Sequence, residues 1–137
     1  MPDMNDFNAQ IISEFRSNDG KVGGPFAGAT VLLLTTTGAR SGLERVNPVV
    51  ARTEGDEVYV FASKAGAPTD PDWFHNLVAN PEVTVEIGTE TYPARAEVLD
   101  KAERDRVYAA QAAEFQNFAE YQAATDRVIP VVRLRRA

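Results

Sequence analysis

The stretch 31-VLLLTTTGARSGLERVNPVVAR-52 decides how this chain folds. A run of aliphatic and threonine residues enters the loop TGARSG, and a second β-branched run leaves through Asn47-Pro48. Branched side chains fit a pleated surface, and the loop glycines supply the backbone freedom that a reversal needs. The pattern predicts a β-hairpin with strands over Thr30–Thr36 and Val46–Arg52, and a third strand over Glu57–Ser63 after the turn EGD.

The segments outside the hairpin read as alternating helices and strands. Phe7, Ile11, Ile12 and Phe15 mark one stripe of a short amphipathic helix over residues 4–17, and Asn18–Gly28 is a glycine-rich connector able to fold over a neighbouring site. Asp70-Pro71 has the form of a helix N-cap followed by proline in the first turn, and Asn80-Pro81 ends that helix. Glu82–Ile87 and Thr91–Leu99 form a second hairpin, with Pro93 indicating an edge or a bulge. Asp100 and Glu103 resemble a capping box that opens helices through YAAQAAEF and NFAEYQAAT, and IPVVRLR is a closing strand. This order predicts an α+β domain built around a small antiparallel barrel, with a helix and connector over residues 1–28 and the barrel over 29–137.

Composition narrows the functional classes. At 137 residues the length suits one domain. A net charge of -6 opposes a broad grip on nucleic acid, so any bound anion must be held locally. The chain has no cysteine and one histidine, His75, which argues against thiolate chemistry and against a cysteine or histidine metal site. No apolar run is long enough to span a bilayer, and MPDMNDF has acids where a signal peptide has bases. The expectation is a cytoplasmic protein.

The loop TTTGARSG offers backbone amides freed by Gly38 and Gly42, hydroxyls from Thr37 and Ser41, and the planar donors of Arg40. Such a set can cradle a phosphate. The plainer account is a glycine hairpin with solvated arginines, and the Walker pattern is absent. Arg45 just after the turn and Lys64 after the third strand add cations at the barrel ends. In ASKAGAPTDPDWFHNLVANP, the small residues Ala62, Ser63, Ala65 and Gly66 allow a flat ligand close to backbone. Trp73 and Phe74 read first as core anchors and His75 as a structural residue. Phe115, Phe118 and Tyr121 share one helical face, with Tyr108 upstream.

The runs LTTTGARSG, RVNP, ASKAG, DWFHNLVANP and YQAATDRVIPVV occur in the order and near the spacing of the deazaflavin-dependent nitroreductase family, which this chain resembles from about Thr30 to Val132. The resemblance implies a split β-barrel of the FMN-binding type, mostly antiparallel with six to seven strands and flanking helices. It also implies coenzyme F420 as the redox partner. On the matching positions, Arg40, Arg45, Ser41, Gly42 and Lys64 would hold the coenzyme's phosphate and glutamate tail. Asn47, Pro48, Val49 and Val50 on one strand, with Ala62 and Ser63 on another, would line its ring. Trp73 and Asn76 would support the pocket. Arg40 stands where a lysine is frequent.

Reduced deazaflavin would pass a hydride to an acceptor lying against Phe115, Phe118 and Tyr121, with Tyr121 the proton donor or guide. Phe115 and Phe118 lack the hydroxyls of some members, and Val50 occupies a position that can be tyrosine. An apolar quinone is therefore favoured over nitro compounds. The rival readings are a coenzyme F420 carrier without turnover and an FMN-dependent oxidoreductase on the same barrel. Acids in the N-terminal segment, Asp3, Asp6, Glu14 and Asp19, oppose anchoring to an anionic membrane, which leaves peripheral contact with its inner face at most. Pairing of two barrels into a homodimer is left open.

Overall fold

A computed structural model describes residues 4–22 and 29–137, without the side chains of residues 4–7 and Ala65. The elements are α1 (Met4–Ser17), β1 (Thr30–Thr37), β2 (Glu44–Glu54), β3 (Glu57–Phe61), a 3₁₀ turn (Lys64–Gly66), α2 (Asp72–Ala79), β4 (Glu82–Ile87), β5 (Glu90–Val98), α3 (Lys101–Glu114), α4 (Gln116–Ala123) and β6 (Val131–Arg136). The six strands close into an antiparallel barrel in the order β1-β2-β3-β6-β5-β4. This is the predicted α+β barrel with flanking helices.

Local hairpins supply β1–β2, β2–β3 and β4–β5. Closure comes from β1 on β4, with Leu34 opposite Val85, and from β6 inserted between β3 and β5. Pro93 is tolerated inside this ring because its carbonyl accepts from Ala137 N–H (3.0 Å), so its hydrogen-free nitrogen faces the place where β6 runs out.

Strand alternation produces two cores. Leu32, Leu34, Val49, Val60, Ala62, Val85, Val132 and Leu134 fill the barrel with Trp73 and Leu77 of α2. Tyr59, Phe61, Ile129 and Val131 point the other way, onto Val107 and Tyr108 of α3 and Phe118 of α4. The Tyr108 hydroxyl donates to the Phe118 carbonyl (2.6 Å), tying the two helices together. Burial pushes that hydroxyl up to about 12.

Helix α1 buries Ile11 and Phe15, and Arg16 grips Glu86 of β4 through two bonds (3.2 and 2.9 Å). Phe7's side chain, Asp3, the Asp6 side chain and the connector over 23–28, with its expected closure over a site, lie outside the described residues. The Asp100 carboxylate accepts from Glu103 N–H (3.0 Å), the forward half of the predicted capping box. The predicted cap at Asp70 is corrected. Pro71 stands at the N-cap of α2, and the Asp70 carboxylate instead takes the guanidinium of Arg127 at 2.7 Å, a charged partner in place of a backbone amide.

Candidate functional site

The TGARSG loop joins β1 to β2 with Thr37 opposite Glu44. Its two glycines serve the turn differently. Gly42 has φ 71°, whereas a Cβ on Gly38 would lie 2.5 Å from Ser41 Oγ. The expectation of several bare amides is corrected. Gly38 N–H donates to Leu43 O (2.8 Å), Gly42 N–H to Gly38 O (3.0 Å), Leu43 N–H to Ser41 Oγ (3.2 Å) and Ala39 N–H to Asn76 Oδ1 (3.0 Å). The loop satisfies its own donors, as backbone groups do wherever an acceptor is within reach. Among the described residues this leaves the amides of Arg40 and Ser41 for a ligand.

Asn76 has a larger part than sequence alone assigned it. Besides accepting from Ala39, its Nδ2 donates to Thr36 Oγ1 (3.2 Å), a hydroxyl buried at the end of β1. Asn80 Nδ2 approaches Thr37 O at 3.4 Å. Helix α2 therefore fixes the loop from below while Trp73 and Leu77 seat that helix in the barrel core.

Between this loop, α1 and the start of α2 lies an open cleft of about 1170 Å³. Arg40, Ser41, Arg45 and Asn47 line it together with Glu44; Asp72, His75 and Asn76 lie opposite, and Asn8, Ala9 and Ile12 of α1 form a third wall. The charges in this cleft set it apart. Arg16, Arg52, Arg95, Arg104, Arg106, Arg127, Arg133, Arg135 and Arg136 each lie within 4.0 Å of a carboxylate. Arg40 and Arg45 pair with none among the described residues, although acids outnumber bases in the chain. Glu44 and Asp72 also line the cleft, so its attraction for an anion is local to the two guanidinium groups, whose donors are not taken up by an ion pair.

The remaining predicted residues gather further along β2. Pro48 is half-buried, Val49 points into the barrel, and Val50 points outward against the aromatic cluster of α4. Three residues of strand separate Asn47 from Val50, about 10 Å. Beside them Ala62 is fully buried, Ser63 is half-buried, and Lys64 is exposed in a left-handed conformation (φ 47°), its Nζ on Thr69 Oγ1 at 3.2 Å. Lys64 does not line the cleft. Gly66 (φ 81°) lies so close to α4 that a Cβ would meet Tyr121 O at 2.8 Å.

On α4 the Tyr121 hydroxyl accepts from Asn117 Nδ2 (3.0 Å), and its ring meets Phe118 edge-on with centroids 5.4 Å apart. Phe118 is 4% exposed, so it backs the aromatic wall, while Phe115 and Tyr121 are half-buried. Trp73 is a core anchor at 7% exposure and reaches the site only through α2. Sequence reasoning passed over Arg127, whose guanidinium holds the chain on both sides of Lys64. Its one signal was a lone cation in a polar loop before a β-strand.

The family model described as F420H(2)-dependent quinone reductase matches residues 9–135. The chain belongs to that family. An F420H(2)-dependent quinone reductase of Mycobacterium tuberculosis is 35% identical over 126 residues, covering 89% of this chain and 85% of the relative. A solved F420-H2 dependent reductase is 38% identical with a TM-score of 0.70, over 77% of this chain and 93% of the other. A solved domain-swapped dimer is 32% identical with a TM-score of 0.72, over 97% and 100%. A pyridoxamine 5'-phosphate oxidase fold from Listeria innocua, 12% identical with a TM-score of 0.57, covers 93% of this chain and 91% of that one, and shares the barrel architecture.

As a member of the F420H(2)-dependent quinone reductase family, the chain carries the expected redox class on the expected barrel. The family match also includes α1 from residue 9 onward, which the resemblance read from Thr30 did not cover.

Proposed function

We propose that this protein is a reductase that uses reduced coenzyme F420 and delivers reducing equivalents to an apolar quinone. The observation that carries the reading is the arginine couple that pairs with no carboxylate among the described residues. Arg40 and Arg45 meet at one cleft while every other arginine in the chain has a carboxylate. The donors fit the coenzyme's chemistry: a polyanionic tail needs guanidinium donors that no ion pair occupies, and a planar ring needs the small backbone segment Ala62–Ser63 beside β2.

Arg40 and Arg45 bind the phosphate and tail, joined by the amides of Arg40 and Ser41 and by the Ser41 hydroxyl, which can still donate its hydrogen. Asn47 to Val50 lead from that anchor toward the aromatic wall, and Lys64 adds charge at the flank. When bound, the coenzyme supplies the hydride. Phe115 and Tyr121 present an apolar surface to the acceptor and exclude water from it, and Tyr121 holds or delivers a proton at its hydroxyl oxygen. The lack of hydroxyls at Phe115 and Phe118 suits a greasy acceptor better than a polar one.

Among the described residues no helix is long and apolar enough to cross a membrane. Two barrels pair in the domain-swapped relative, and light scattering of this chain decides whether it does the same. Anaerobic mixing of the protein with reduced F420 and a menadione-like quinone tests the function. Return of the oxidised coenzyme's absorbance above the protein-free rate is expected. Tight coenzyme binding with no turnover across a quinone panel would make the protein a carrier instead, and preference for FMN over F420 would remove the reading altogether.

A further inference from the structure

Arg127 is 15% exposed and precedes β6, far in sequence from every residue assigned to the coenzyme. Its Nε donates to Ala67 O (2.8 Å), Nη1 to Ala62 O (3.0 Å) and to Asp70 Oδ1 (2.7 Å), and Nη2 to Ser63 O (2.7 Å). The guanidinium thus takes carbonyls on both sides of the 3₁₀ turn and the carboxylate that ends the segment. Its own carbonyl accepts from Gln122 Nε2 of α4 (2.7 Å), next to Tyr121. Gln122 is fixed in turn by Ile129 N–H (3.1 Å) and by Arg104, which stacks over Tyr108 at 4.5 Å.

We infer that Arg127 is a positioning residue that sets the coenzyme wall Ser63–Lys64 and the acceptor wall at Tyr121 on α4 at a fixed separation. The inference rests on the functional reading above, since the two walls have those roles only under it. Two features show that the 62–70 segment needs a tether. Lys64 sits at φ 47°, a conformation that side-chain-bearing residues avoid, and Gly66 is pressed against the Tyr121 backbone with no room for a methyl group. The turn has two internal backbone bonds, Gly66 N–H to Ser63 O (2.9 Å) and Ala67 N–H to Lys64 O (3.0 Å). A planar fork of donors spans the three carbonyls, a task that a lysine's point charge cannot perform.

The test compares wild type, Arg127→Lys and Asp70→Asn as full-length, ligand-free proteins by hydrogen–deuterium exchange, and then titrates each with oxidised F420. Arg127→Lys is expected to speed exchange at Gly66 and Ala67 while the barrel strands stay protected, and to weaken F420 binding about tenfold. Asp70→Asn keeps the carbonyl bonds and is expected to change both by less than about threefold. Acceleration confined to residues 62–70 and to α4 supports the tether. Unchanged exchange there in a folded Arg127→Lys protein overturns it, as does acceleration spread evenly over the barrel. If Arg127→Lys does not fold, an Asp70→Asn protein with the same loosening as a fully unpinned turn also overturns it, because the carbonyl bonds would then carry nothing. If wild type fails to bind F420, the functional reading falls, and the exchange pattern alone decides whether Arg127 orders the segment.

Discussion

Replacement of Arg40 by alanine gives the sharpest test of the anion cleft. Its guanidinium has no carboxylate among the described residues and is exposed, so its loss breaks no ion pair and opens no cavity. Stability should change by less than about 0.5 kcal/mol, as for surface substitutions generally. Binding is a different matter. A charge-assisted hydrogen bond contributes roughly 1.5–3 kcal/mol, and solvent around the exposed Arg40 places it at the low end. About 1.4 kcal/mol corresponds to tenfold in dissociation constant. Calorimetric titration with F420 should therefore show about a tenfold loss for Arg40→Ala and a similar loss for Arg45→Ala. The double variant should lose less than the product if both hold one phosphate, because contacts that share a partner are not additive. Arg95→Ala is the control, since Arg95 is also exposed but already pairs with Glu82 at 2.6 Å. Equal affinities for Arg40→Ala and Arg95→Ala would refute the reasoning, whatever the enzyme's activity.

The other predictions probe the second wall and the scaffold. Lys64→Gly relieves a left-handed backbone, so the melting temperature should hold or rise, by at most about 1 kcal/mol in stability, while F420 affinity falls; a clearly destabilised variant would contradict the strain argument. Gly66→Ala drives a methyl group against Tyr121 O, and should slow quinone turnover more than it weakens coenzyme binding; wild-type kinetics would show that the turn and α4 can part freely. Tyr121→Phe should slow turnover with coenzyme affinity nearly intact, and an unaltered rate assigns the proton to water. The Arg52 guanidinium, helped by Arg106, holds the Glu54 carboxyl below the usual carboxylate range. Because the folded-state value is the lower one, this stabilisation is present above the ordinary value of about 4.3 and disappears as pH falls through the folded one. Glu54→Gln should therefore melt below wild type at neutral pH and approach it toward pH 3; a deficit constant with pH would exclude the linkage.

What the sequence revealed depended on distance along the chain. The hairpin around TGARSG was legible because both strands and their turn lie within one window; the reading that put Asn47, Pro48, Val49 and Val50 together along one ring did not use the alternation that sends Val49 into the barrel and Val50 outward. Closure of β1 on β4 and insertion of β6 between β3 and β5 were not legible, since no local pattern encodes pairing between strands so far apart in the chain. Asp70 misled for a related reason. An aspartate before proline at a helix start has a strong local reading, and a guanidinium 57 residues away overrode it. The loop amides were counted as free because the acceptors that take them, the carbonyls of Gly38 and Leu43 and the side chains of Ser41 and Asn76, come within reach only once the loop is built.

The arginine couple was visible as residues but not as a site. In the sequence every arginine looks alike, and the structure separates those that found a carboxylate from the two that have none among the described residues. That separation has a consequence for how the ligand arrives. A protein of net charge -6 repels a polyanion at long range, so the cleft cannot rely on the whole-molecule field that steers ligands onto basic proteins. Added salt screens the unfavourable field of the acidic surface and the favourable one of Arg40 and Arg45 together, with a Debye length of about 10 Å at 0.1 M. Affinity for the coenzyme should thus fall only gently with ionic strength, more gently than the same two contacts would give on a neutral barrel. The surviving attraction is short-ranged and directional, which favours a ligand whose charge sits at one end and whose flat body continues along β2.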